Sequence, residues 1–171
     1  LNVTEKIIYD FETLQRHGIY RDIPYKYKNS TGNFNLRLSN FSVTNEKGDP
    51  CQFKISNSGN YKRLKIGNPD KLITGQHTYF INYTVKRALN YFENHDELYW
   101  NAIGDAWQVN ISQANVKVIL PNSIQSPSIS ADCFYGKFGA TQKCPFNISD
   151  NQAIFFTEQL SPQQNMTIVV G

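Results

Sequence analysis

A chain of 171 residues with Lys+Arg 17 against Asp+Glu 14 carries a net charge of +3 and can bury its own core without metal or several disulfides. Its basic residues are scattered singly or in small groups (Lys26/Lys28, Lys62/Arg63/Lys65, Lys86/Arg87), which argues against the dense cationic face of a nucleic-acid binder. Charged residues make up only 18% while Tyr 10, Phe 11 and Trp 2 are plentiful, so the expected class is all-β.

In chain order, residues 3–11 alternate apolar and polar and read as a first strand with one buried face. Residues 14–28 read as non-regular, because Pro24 holds Ile23 extended and blocks a helix. Ser30-Thr31-Gly32-Asn33 is turn chemistry. Residues 34–43 alternate cleanly except for a phase slip near Asn40, which predicts a bulge. Residues 51–56 and 61–66, separated by turn residues, predict a hairpin. The longest strand is expected over 76–85, with Tyr79, Ile81, Tyr83 and Val85 on one face. Residues 87–95 read as a connector. Residues 97–103 and 107–111 then read as an acid-headed hairpin turning at Gly104-Asp105 and holding both tryptophans. Further strands are expected over 115–120, 129–135 and 166–170. Residues 153–160 fit either a capped helix, from Ser149 and Gln152, or a strand, from Ile154-Phe155-Phe156-Thr157. Short strands with little helix between them predict one domain over 1–171, an antiparallel β-sandwich (immunoglobulin-like or jelly-roll-like) with long loops.

Of three cysteines, Cys133 and Cys144 enclose a short Gly-containing loop and are expected to form a disulfide, which implies an oxidising compartment. Cys51 is left over and reads as an idle thiol. Seven Asn-x-Ser/Thr triplets occur, at Asn2, Asn29, Asn40, Asn82, Asn110, Asn147 and Asn165. Period-2 polar alternation in a chain rich in Asn, Ser and Thr makes such triplets without any glycan, and that reading is preferred.

Three runs carry a resemblance: Gly18-Ile19-Tyr20-Arg21-Asp22-Ile23-Pro24; residues 66–70 (IGNPD) with 74–85 (TGQHTYFINYTV); and residues 96–101 (DELYWN) with Gly104 and 107–111 (WQVNI). In this order and spacing the chain resembles the N-terminal region of the YciQ-like predicted membrane proteins, domain of unknown function 2207. The resemblance implies an extracytoplasmic β-rich region of a bacterial membrane protein, secreted through a signal peptide absent from this sequence and followed by membrane helices. It supplies no activity.

No catalytic constellation stands beside it. The candidate ligand-binding residues are Arg21, Tyr20, Glu97, Trp100 and Asp105. A carboxylate pair near a tryptophan would suit a carbohydrate-active site. Adjacent Asp96 and Glu97 on a strand point to opposite faces, however, and both Trp100 and Trp107 suit a sandwich core. Arg21 is expected to pair with Glu97 and clamp its loop to the sandwich. His77, His95, Asp96 and Asp70 lack metal-ligand spacing, so no metal and no cofactor is expected. Nor is there a Gly-x-Ser-x-Gly elbow or a phosphate-binding Gly loop. The expectation is a non-enzymatic interaction module whose partner is a protein or envelope glycan. The alternatives are a carbohydrate-active domain or a structural spacer.

Overall fold

The computed structural model describes residues 1–29 and 32–171. Its strands are β1 (Asn2–Asp10), β2 (Ile19–Pro24), β3 (Lys26–Asn29), β4 (Gly32–Asn35), β5 (Arg37–Thr44), β6 (Phe53–Ser58), β7 (Tyr61–Ile66), β8 (Gln76–Lys86), β9 (Leu89–Tyr91), β10 (Asp96–Asn101), β11 (Ala114–Ile119), β12 (Ala131–Gly136), β13 (Gln142–Lys143), β14 (Phe146–Ser149), β15 (Gln152–Thr157) and β16 (Asn165–Val170). No helix forms among the described residues, and every strand pairing is antiparallel, as an all-β sandwich-like fold requires. The first two residues of the turn expected at Ser30-Thr31-Gly32-Asn33, which are also the last two of the Asn29 triplet, lie outside the described residues.

Backbone contacts gather into two compact units, Leu1–Arg87 and Ala88–Gly171. The first contains sheets β1-β8-β5 and β2-β7-β6 and the hairpin β3-β4. Strand β8 is central to its sheet, and Tyr79, Ile81, Tyr83 and Val85 are buried as their alternation predicts. The bulge falls between Ser39 and Ser42, where Asn40 takes φ 56°, a conformation Asn tolerates better than most residues. The β6–β7 hairpin forms as expected, turning at Gly59 with φ 59°.

Within residues 14–28, read as non-regular, Ile19–Pro24 is corrected to strand β2, and β3 begins at Lys26. Ile19, Arg21 and Ile23 alternate toward the core, and an arginine in that phase disguised the pattern. Pro24 is tolerated because it ends an edge strand. Two glycines seat this strand. A side-chain carbon on Gly18 would lie 1.9 Å from the Ile66 carbonyl oxygen, and one on Gly67 would lie 1.9 Å from that of His17. Only hydrogen fits at either position, so the two motif segments interlock backbone to backbone.

The second unit has a five-stranded sheet, β13-β12-β16-β10-β9, and a three-stranded sheet, β11-β15-β14. Its core includes Leu98, Trp100, Phe155, Leu160, Met166 and Ile168. The hairpin expected across 97–111 does not form. Instead β10 lies between β16 and β9, and residues 107–111 form no strand. They are held by the 160–163 segment, with Ile111 and Leu160 exchanging two backbone hydrogen bonds of 2.9 Å. The 153–160 ambiguity resolves as a strand as far as Thr157, since β15 is the central strand of its sheet, with Phe155 and Thr157 buried and Ile154 and Phe156 exposed.

Candidate functional site

The densest cluster of charged groups is built around β2. Arg21 is 2% exposed, on the same face as Ile19 and Ile23. Its Nε donates to Glu5 Oε2 at 2.6 Å and its Nη2 to Glu5 Oε1 at 2.9 Å, so the pair is bidentate. Nη1 donates to the Asp22 carbonyl at 2.6 Å, and the Tyr83 hydroxyl donates to Glu5 Oε1 at 2.7 Å. The network ties β2 of one sheet to β1 and β8 of the other. Burial works against the Arg21 charge, but the adjacent Glu5 carboxylate outweighs it, and the guanidinium pKa lies above its ordinary value. Burial, reinforced by Glu5, holds the Tyr83 phenol well above its usual range. The partner expected for Arg21 was Glu97, which belongs to the second unit; within the first unit its carboxylate partner is Glu5. The clamp is real, but its carboxylate comes from β1.

On the opposite face of β2, Asp22 receives Arg63 Nε and Nη2, both at 2.7 Å. The Arg63 guanidinium lies 5.3 Å from the ring centre of Tyr20, which is 55% exposed. The hydrogen bonds to Asp22, then its charge, raise the Arg63 pKa. By register Tyr20 sits beside Lys65, and Lys65 beside Lys54. The pleat therefore splits the Lys62/Arg63/Lys65 group. Arg63 and Lys65 share the outward face, and Lys62 takes the other, bonding Asn57 at 2.8 Å.

In the second unit, Trp100 is 6% exposed beside Leu98, so strand alternation turns Glu97 and Tyr99 to the other face. Glu97 and Trp100 do not share a cleft. Asp105 is half-buried in the loop after β10, and Trp107 is half-buried there rather than in the core; its carbonyl accepts the Gln163 N–H at 2.8 Å. The expected disulfide is present: Cys133 and Cys144 are bonded, with Cα atoms 5.2 Å apart. Cys133 is fully buried, and the bond closes the loop that β12 and β13 pair across. Beside it Asp132 pairs with Lys143, whose hydrogen bond holds the carboxyl below the usual carboxylate range.

The whole of the sequence, residues 1–171, matches the family described as predicted membrane protein (DUF2207) N-terminal domain. The chain belongs to this family. No curated protein and no solved structure matches it. Among the described residues of this DUF2207 domain no helix is long and apolar enough to cross a membrane. Nor do three His, Cys, Asp or Glu side chains gather as a metal site would need. No buried side-chain nitrogen or oxygen lacks a hydrogen-bond partner among those residues. Cys51 is half-buried in the first unit, and burial, with Glu46 and Asp49 nearby, pushes its thiol up, away from the reactive thiolate.

Sequence reading missed Glu5 as the partner of Arg21, although a signal existed. Glu5 lies in phase with Val3, Ile7 and Tyr9, a lone carboxylate on the apolar side of its strand. Arg21 stands in the apolar phase of β2 in the same way.

Proposed function

We propose that this domain is an extracytoplasmic interaction module of a membrane-anchored bacterial protein, that it is not an enzyme, and that its partner is a protein, an envelope glycan or another copy of itself. The observation that carries the reading is the state of the β2 cluster. Its buried ionisable groups are consumed by one another, Arg21 by Glu5 and Asp22 by Arg63, in the manner of a fold clamp. Membership of a membrane-protein family supports the anchor, and the Cys133–Cys144 disulfide supports an oxidising compartment. The test is to screen the 171-residue chain against envelope extracts and glycan arrays in parallel with a panel of hydrolase substrates. Specific capture without turnover is expected; robust turnover with no capture would sink the reading.

One observation favours a glycan among these partners. The outward face of β1-β8-β5 is an amide and hydroxyl ladder. Thr4 donates to Asn82 at 2.7 Å, Thr84 to Asn2 at 3.3 Å, and Asn40 to Thr84 at 3.4 Å. The triplets at Asn2 and Asn82 thus arise because Asn and the Thr two residues on share one strand face, while Asn40 sits in the bulge of β5. Exposed Asn2, Thr4 and Asn40 beside half-buried Asn82 and Thr84, with the Lys6 ammonium 5.9 Å from the ring centre of half-buried Phe80, suit a polyhydroxylated chain. Neutral oligosaccharides shifting the NMR signals of these residues would support that choice, and shifts confined elsewhere would remove it.

A further inference from the structure

Two like-charged cross-strand pairs stand in the first unit, Arg37 opposite Lys86 and Lys54 opposite Lys65, and the second, on the outward face of β2-β7-β6, has a further cation, Arg63, and an exposed ring, Tyr20, beside it. Register places Tyr20, Lys65 and Lys54 in one row across the three strands, and Asp22, Arg63 and Ser56 in the next. Three cations therefore stand against the single carboxylate of Asp22, and Arg63 already occupies both of its oxygens. Lys54 and Lys65 are exposed, directly opposite one another, and neither has a carboxylate partner among the described residues. Like charges directly opposite on antiparallel strands destabilise the pairing. A fold that keeps such a pair uncompensated offers an anion a place where binding relieves repulsion. Tyr20, exposed and flanking both Lys65 and the Arg63 guanidinium, adds an amphipathic ring of the kind that settles at a lipid headgroup layer.

We propose that this face docks on an anionic phospholipid surface, with Lys54, Lys65 and Arg63 meeting headgroup phosphates and Tyr20 seated among them. Charge complementarity selects an anionic surface, and the chain belongs to a membrane-protein family, so such a surface lies within its reach. Three cations give only weak attraction to a free domain. Tethering to the same membrane raises the effective concentration and turns weak attraction into a preferred orientation. The proposal does not depend on which side of the membrane the domain occupies, nor on the identity of a protein or glycan partner.

The test is NMR of the 171-residue chain at low salt, with nanodiscs of phosphatidylcholine alone or mixed with phosphatidylglycerol. Amide broadening is expected at Tyr20, Lys54, Arg63 and Lys65 with the anionic discs only, and it should vanish in high salt as the charges are screened. Lys54→Glu with Lys65→Glu should weaken the interaction by about tenfold or more. The milder Lys54→Gln with Lys65→Gln should weaken it in the same direction, which covers a fold sensitive to the reversal. The control is Arg37→Glu with Lys86→Glu, an equal charge change at the cross-strand pair of the other sheet, expected to alter it less than about twofold. Equal loss in the control, equal broadening on neutral discs, or broadening centred elsewhere would overturn the proposal. So would binding to soluble polyphosphate without binding to discs.

Discussion

The two units of this domain solve one problem by different chemistry. Leu1–Arg87 ties its two main sheets with a buried ion pair, Arg21 with Glu5, and a phenol hydrogen-bonded to the same carboxylate. Ala88–Gly171 uses a covalent bond, Cys133 to Cys144, anchored in a fully buried cysteine. A buried ion pair adds little net stability over a well-packed apolar pair but penalises any change that removes one member. A disulfide acts mainly by restricting the unfolded chain. The first unit should therefore be sensitive to single substitutions and to pH, and the second to reductant.

The largest effect is expected from breaking the ion pair on one side. Arg21→Met leaves Glu5 and Tyr83 buried without their cation and should cost about 3–5 kcal/mol, read as a lower urea midpoint for the first unit. Replacing all three groups together, Arg21→Met with Glu5→Leu and Tyr83→Phe, should recover most of that loss, because the buried carboxylate and phenol leave with the cation and only the Asp22 carbonyl loses a charged donor. A triple variant no more stable than the single one would show that the network adds something beyond mutual satisfaction.

Next comes the covalent clamp. Cys133→Ala with Cys144→Ala, or reduction, should cost the second unit about 2–4 kcal/mol and leave the unfolding of the first unchanged. Cys51, the remaining cysteine, is a free thiol in the first unit, so reductant has no bond to cut there. A similar loss in both units would dissolve the distinction drawn between them.

Smaller again is the backbone lock at Gly18 and Gly67. Their φ values of 144° and 131°, with a carbonyl oxygen 1.9 Å from each absent side-chain carbon, leave no room for alanine. Gly18→Ala or Gly67→Ala should destabilise the first unit by about 1–3 kcal/mol, measured by thermal melting. The two together should cost less than their sum, since each displaces the same pair of segments.

The contrast also marks how far the sequence could be read. Alternation was enough for β8, for the hairpin of β6 and β7 and for the bulge at Asn40, because in each case apolar residues alone mark the buried face. It failed at β2, where Arg21 takes a core position between Ile19 and Ile23 and makes a strand resemble a loop. The two anomalies, Glu5 in an apolar phase and Arg21 in another, are complementary, and pairing them is the inference that alternation supports. Nothing local pointed to Glu5 as a partner, because that pairing depends on β1 and β2 facing each other from two sheets. The 97–111 stretch failed for the opposite reason. Gly104-Asp105 between two apolar runs suggests a hairpin, but β10 finds its neighbours in β9 and in the distant β16. The 107–111 segment is left to bond the loop before β16. The disulfide was legible because its two cysteines lie 11 residues apart and close their own loop.

The mildest test of the contrast is alkaline pH. Burial, with the nearby Cys51 and Glu46, pushes the Tyr79 phenol up to about 12, and burial with Glu5 holds Tyr83 well above its ordinary value. The folded first unit keeps protons that the unfolded chain releases near pH 10, so fewer protons are bound after unfolding. Stability from these phenols is complete below pH 10 and declines as pH rises from 10 through about 12, the range set by Tyr79. Of the two, Tyr79 offers the cleaner variant, since no hydrogen bond to the clamp is lost with its hydroxyl. Tyr79→Phe should flatten the decline by about one proton of linkage, seen in urea midpoints collected across that range. The second unit, with neither phenol, should show no such change in the variant. If the substitution moves the alkaline slope of both units alike, the pH sensitivity does not belong to the core that holds the ion pair.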